Sequence, residues 1–208
     1  MKKTCISILF LVLGILASGQ TDIAVCFNSV GSGINFTIDY SKTIKSKNEL
    51  GLGLRININR IKHPDDQMHV FLNRLYATEF LQYFGIRMFY HKMIFHRLEC
   101  IKPFLFYDLQ SSWSTTRNYI YSPCSLDTNG NVLYKNITVY YGPFFWIEQN
   151  IGIGFKARIF KSFYLTQSIG AGVLFIIGED KILPITYDKF SWEFGYLLSV
   201  GIVYRIKE

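Results

Sequence analysis

Residues 191–206 alternate between two kinds of side chain. Trp192, Phe194, Tyr196, Leu198, Val200, Ile202, Tyr204 and Ile206 make one row. Ser191, Glu193, Gly195, Ser199, Gly201 and Arg205 make the other, with Leu197 and Val203 as its apolar exceptions. A period of two puts successive side chains on opposite faces of a strand. The same pattern runs through 49–60, where Leu50, Leu52, Leu54, Ile56 and Ile58 alternate with Glu49, Gly51, Gly53, Arg55, Asn57 and Asn59. It recurs at 34–40 and 151–159, and more weakly at 22–30, 81–91, 99–110 and 163–178. Eight strands are predicted. The stretch 163–178 is apolar but short, with three glycines and Gln167, and is read as a long strand instead of a spanning helix.

The start of the chain follows a different rule. Lys2 and Lys3 precede an apolar run from Cys5 to Leu16, and Ala17-Ser18-Gly19 supplies small residues. This is the layout of a secretory signal peptide, so residues 1–19 are expected to be removed and residues 20–208 to form one barrel domain. Beyond the leader, Cys26, Cys100 and Cys124 remain. An odd number at irregular spacing predicts neither a disulfide framework nor a metal site.

The expected connections are unequal. Short turns fall at 44–48, 92–98 and 161–162, and longer loops at 61–80, 111–142 and 179–189, with a tight Gly31-Ser32-Gly33 link between the first two strands. His63-Pro64-Asp65-Asp66, Ser122-Pro123 and Asp127-Thr128-Asn129-Gly130 are turn-forming. Short turns on one side and longer loops on the other characterise bacterial transmembrane barrels. The expected fold is therefore all-β: an eight-stranded antiparallel up-and-down transmembrane β-barrel. Its short turns and both termini would lie in the periplasm and its longer loops outside the cell.

The minor face decides what the apolar row meets. It is rich in glycine and carries scattered charges, among them Asp39, Arg55, Arg87, Lys102, Asp108, Glu148, Lys156, Arg158 and Glu193. Eight strands enclose a lumen just wide enough to be filled by side chains. Opposite charges can pair there, and Phe89, Phe104, Phe106, Trp146 and Tyr164 would close it, which argues against a general diffusion porin. On the apolar rows, Tyr40, Tyr90, Phe163 and Tyr204 lie at the short-turn end, and Phe145, Phe175 and Trp192 toward the loop end. Two aromatic girdles of this kind sit at headgroup level. Lys42, Lys45, Lys47, Lys92, Arg97, Lys161 and Lys207 make the short-turn side basic, suited to anionic lipid headgroups. Despite the formal net charge of +7, these residues belong to separate turns and do not suggest nucleic-acid binding.

The last strand places Ser199, Gly201, Tyr204 and Ile206 in the four defined positions of a C-terminal pattern: polar, any, Gly, any two, hydrophobic, any, hydrophobic. This resembles the insertion signal of outer-membrane β-barrel proteins, with Lys207-Glu208 as an extension beyond it. Lys102-Pro103-Phe104 is similar to the start of a mid-barrel strand in small OmpA/OmpX-like barrels. The resemblance implies a monomer folded by the outer-membrane assembly machinery and surrounded by outer-membrane lipids.

Little points to chemistry. His63 and His69 accompany Asp65 and Asp66 in one loop, and His91 and His96 are expected at a short turn. No serine is placed beside them as a nucleophile–base pair requires. No catalytic, cofactor-binding or metal-binding residue is expected. A structural, adhesive or surface-recognition role is expected, carried by the loops 61–80 and above all 111–142, with Trp113, Tyr119, Tyr121 and Tyr134 as candidates for recognising a ligand outside the cell. An alternative for 111–142 is a sheet protruding above the membrane, which Asn136–Tyr141 favours. An alternative function is a small barrel enzyme or transporter for a lipid or other hydrophobic ligand.

Overall fold

The computed structural model describes residues 19–44, 47–58, 80–95, 100–178 and 190–207. The expected loop 61–80, apart from the backbone of Phe80, and the loop 179–189 lie outside the described residues. So do residues 1–18 of the expected leader, and His63, Asp65, Asp66, His69 and His96.

Eight strands form one closed barrel: β1 (Thr21–Val30), β2 (Gly33–Ile44), β3 (Asn48–Asn57), β4 (Phe80–Met93), β5 (Ile101–Leu126), β6 (Val132–Phe160), β7 (Phe163–Ile177) and β8 (Phe190–Lys207). Each pairs antiparallel with its sequence neighbour, and β8 returns to β1 from Val30↔Leu197 down to Asp22↔Arg205. Closure leaves no sheet edge, which a bilayer demands because lipid offers backbone groups no hydrogen bonds. Residues 163–177 are a strand, and among the described residues there is no helix.

The alternation decides the two surfaces. Leu52 and Ile202 are 57% and 56% exposed on the outside, and Leu54, Ile56, Ile151, Ile153 and Val200 share that wall. Arg55 is completely buried inside, with Arg87, Lys156, Asp39, Asp108 and Glu148 at nearly zero exposure. A water-soluble barrel would reverse this. The ten residues of β1 match the 9–11 that a tilted strand needs to cross a bilayer.

Inner glycines make room for large rings. A Cβ on Gly51 would lie 2.1 Å from the Phe89 ring, and one on Gly154 would lie 2.5 Å from that of Phe104. Gly152 and Gly170 give way in the same manner to Phe106. Phe89, Phe104, Phe106, Trp146 and Tyr164 are all buried in the lumen.

One expectation fails. Residues 111–142 are not a loop but the alternative weighed for them, a protruding sheet. Strands β5 and β6 continue through them as a hairpin, with pairs from Thr116↔Tyr141 to Leu126↔Val132. Only 127–131 turn: the Asp127 carboxylate accepts hydrogen bonds from the backbone N–H groups of Asn129 and Asn131, both at 2.8 Å. The neighbours stop much earlier. β4 pairs with β5 only as far as Phe80↔Thr116, and β7 with β6 only as far as Phe145↔Ile177. A register shift between Ser114 and Thr116, opposite Gly142 and Pro143, marks the passage from barrel wall to free-standing hairpin. Such a bulge bends a strand locally. Gly142 supports it with φ +117°, a value that side chains disfavour.

Candidate functional site

The lumen is organised in three tiers, each built around a cation that links several strands. At the loop end, Arg55 of β3 donates through Nη1 to Glu148 Oε1 of β6 at 2.9 Å and to Gln110 Oε1 of β5 at 3.1 Å. Its Nη2 reaches Ser32 Oγ at 2.6 Å, and its Nε reaches Asn57 Oδ1 at 2.8 Å. Ser32, on the β1–β2 link, donates to Glu148 in turn.

In the middle tier, Arg87 of β4 sits between two carboxylates. Its Nε is 2.6 Å from Asp108 Oδ2 and its Nη1 is 2.8 Å from Asp39 Oδ2. The guanidinium lies 5.0 Å from the centre of the Phe89 ring. At the turn end, Lys156 Nζ donates to Glu49 at 2.7 and 2.8 Å and to Asp22 Oδ2 at 3.2 Å. Arg205 bonds Asp22 Oδ1 at 3.2 Å and the Tyr164 hydroxyl, and stacks over the Tyr164 ring at 4.2 Å. Ion pairs this deeply buried roughly repay their desolvation when intact and cost heavily when broken.

Between the lower tiers lies an aromatic stack. The His91 imidazole is sandwiched by Phe89, at 4.5 Å, and Phe104, at 4.2 Å, with Nδ1 3.3 Å from Glu49 Oε2. His91 was expected at a turn; it is instead an inward residue of β4, two positions after Phe89. Below it a cavity of about 350 Å³ opens at the turn end, lined by Asp22, Glu49, Lys102, Lys156, Arg205 and Phe95 among others.

Of the charges predicted to line the lumen, Asp39, Arg55, Arg87, Asp108, Glu148, Lys156 and Glu193 are buried inside. Arg158 is not. It has inward parity, but it sits at the end of β6 where the lumen meets water, exposed and 5.8 Å from the Tyr164 ring centre. Asp22, Glu49, His91 and Arg205 were missed. Each has the inward parity of its strand, so strand parity alone would have found them.

Ser41, Glu49 and His91 come together, yet do not form a nucleophile–base pair. The Ser41 hydroxyl donates to Glu49, and the imidazole faces the other oxygen of the same carboxylate.

On the outer wall, Tyr40, Phe163, Trp192 and Tyr204 are exposed and Tyr90, Phe145 and Phe175 half-buried. Phe163 and Tyr204 touch at 5.1 Å at the turn end, and Tyr90 donates to Asn48 Oδ1 at 2.9 Å. Toward the loop end, Trp113 lies between Phe84 and Phe145, at 5.8 and 5.4 Å. Trp113, expected in a recognition loop, therefore belongs to the wall of β5. Tyr121 and Tyr134 are exposed on the hairpin, and Tyr119 is paired in register with Thr138 on it. In the C-terminal pattern, Ser199 and Gly201 face inward and Tyr204 and Ile206 outward. A Cβ on Gly201 would strike Cys26 Sγ at 2.4 Å, so this glycine lets β8 close against β1.

A lipid-facing apolar wall, a lumen filled with paired charges and rings, and eight up-and-down strands define a small transmembrane β-barrel, in architecture like the OmpA/OmpX-type barrels of outer membranes. No family model matches the chain, and no curated protein matches it. Among solved structures, the N-terminal β-barrel domain of Pseudomonas aeruginosa OprF is 11% identical, with a TM-score of 0.45 over 91% of this chain and 98% of that one. Neisserial surface protein A is 13% identical, with a TM-score of 0.36 over 89% and 94%. A de novo designed transmembrane β-barrel is 10% identical, with a TM-score of 0.38 over 90% and 96%.

Proposed function

We propose that this protein is a monomeric outer-membrane barrel, delivered by its leader and folded by the outer-membrane assembly machinery, that holds a recognition hairpin outside the cell. The observation that carries the reading is the length of β5 and β6 beyond their lateral neighbours. From Thr116 to Leu126 the hairpin spans about 35 Å at ~3.3 Å per residue. Tyr121, Leu126, Leu133, Tyr134 and Ile137 are exposed along it. Tyrosine offers a large contact area at low entropy cost, which suits a binding surface. The basic turns at the other end, including Lys47, Lys92 and Lys161, fit anionic headgroups of the inner leaflet. The filled lumen suits an anchor better than a solute pore.

The three free cysteines among the described residues report the orientation. Cys124 is exposed on the hairpin, Cys100 is exposed beside the turn end, and Cys26 is buried in the lumen. A membrane-impermeant maleimide should label Cys124 on intact cells, Cys100 only after the outer membrane is opened, and Cys26 only after unfolding. Labelling of Cys100 but not Cys124 on intact cells would reject the proposal. Deleting 117–140 should then abolish cell-surface adhesion while the shortened barrel still shifts on a gel after boiling.

A further inference from the structure

The cavity at the turn end of the lumen is a pocket closed at one end. Glu49 and Lys156 line it and are almost wholly buried, and Phe95 lines it and is exposed, so it runs inward from the rim. Beyond Glu49 the stacked rings of His91, Phe89 and Phe104 fill the lumen. What enters here is held and does not pass through. A volume of about 350 Å³ falls at the small end of the range of ligand sites.

The charges around this pocket do not balance. Three cations among the described residues line it, Lys102, Lys156 and Arg205, against two carboxylates, Asp22 and Glu49. Two of the cations are matched. Lys156 Nζ places its three bonds on Glu49 and Asp22, and Arg205 bonds the other oxygen of Asp22. Lys102 is bound to no carboxylate and has no hydrogen bond among the described residues. It is also badly neighboured. Lys102 of β5 stands directly opposite Lys156 of β6 in the register, with the same inward parity. Like charges opposite each other across two strands repel. The pocket therefore has one positive charge to spare, a side chain with free donors to carry it, and room beside it.

The rest of the lining narrows the class of anion. Met93 and Phe95 supply an apolar part, and Thr43 and Gln20 supply neutral polar groups. A carboxylate carries one negative charge at neutral pH and matches the single excess. A phosphate monoester carries nearly two, and would face Asp22 and Glu49 with the second unmatched. We propose that this pocket binds a small organic monocarboxylate, with its charged end on Lys102 and its apolar end against Met93 and Phe95.

The test uses the barrel refolded in detergent, with the backbone amide signals of Lys102 and Thr43 followed by NMR. Sodium butyrate is titrated against three controls at equal ionic strength: butyramide, sodium chloride and sodium phosphate. Butyrate should shift both signals saturably. Butyramide has the same shape without the charge and should bind at least about tenfold more weakly. Lys102→Met should raise the butyrate dissociation constant by about the same factor, and Lys102→Arg, which keeps the charge, should restore binding. Phe95→Ala should weaken butyrate more than acetate, because only butyrate has a chain to lay against the ring. Failure of butyrate to saturate would overturn the proposal, as would equal binding of butyrate and butyramide. So would chloride or phosphate matching butyrate, or a dissociation constant that Lys102→Met leaves unchanged. Lys102 is half-buried and outside the paired tiers, so its variants should still shift on a gel after boiling. Should one fail to fold, the comparison of butyrate with butyramide on the unaltered barrel decides.

Discussion

Strands β5 and β6 are each two structures in sequence. Below Ser114 and Phe144 they are barrel wall. Beyond Thr116 and Tyr141 they are a free-standing ribbon with the same antiparallel ladder. In the wall, Phe104, Phe106, Asp108, Gln110, Ser112 and Ser114 point inward and are all buried. On the ribbon no described side chain is buried, and Tyr121 is 73% exposed. The ladder is common to both, so backbone pairing is not what separates them. The wall has β4 and β7 alongside and a lumen to fill, and the ribbon has neither. Two strands alone are marginal in water, so the ribbon takes its order from the barrel on which it stands.

The sharpest way to test that contrast is to break the wall from within. Arg87→Met should leave Asp39 and Asp108 buried without their shared cation and cost about 3–5 kcal/mol, read as a lower urea midpoint of unfolding. A small effect there would mean that the lumen is wet and the tiers are not structural. Next in size is a charge placed on lipid. Leu54→Arg, on the outer wall, should cost about 2–4 kcal/mol in bilayer refolding. Tyr134→Arg, in an equally exposed position on the ribbon, should stay within about 0.5 kcal/mol. If both cost the same, the outer wall does not face lipid.

The smallest effect lies at the hairpin tip. The Asn131 side chain, and then the backbone N–H groups around it, hold the Asp127 carboxyl below its ordinary value. Asp127 therefore supports the turn at neutral pH and above. Its contribution disappears only in acid below the usual carboxylate range, as the lowered pKa is crossed. Amide exchange at Asn129 and Asn131, corrected for the intrinsic pH dependence, should accelerate there and in Asp127→Ala, with the barrel midpoint unchanged. A barrel that loosened in step with the tip would show that ribbon and wall are one cooperative unit.

The barrel was legible because lipid and lumen both enforce the period of two. One residue out of register would put Arg55 in the bilayer and Ile56 in the lumen. The same logic covered the buried rings and most of the charged interior. It fell short where the enclosure ends. Arg158 keeps inward parity but sits at the rim, where parity no longer means burial. The hairpin was read as a loop because outside the membrane neither face must be apolar, so Asn118, Ser122 and Lys135 blur the pattern. Pro123 and Cys124 add a register shift that hides it further. Its turn residues, 127–130, were visible, and Asn136–Tyr141 already favoured a protruding sheet as the alternative reading, but the pairing up to Leu126↔Val132 was not.

The short link at the other side of the mouth bears on how the chain assembles. The Ser32 hydroxyl is clasped by Arg55 from β3 and Glu148 from β6, the latter 116 positions away in the chain. The first hairpin therefore cannot seat its tip until the sixth strand has arrived, although its own two strands can zip up at once. Closure of the cylinder and locking of its earliest-made corner become a single late event, which makes the beginning of the chain among the last parts to finish.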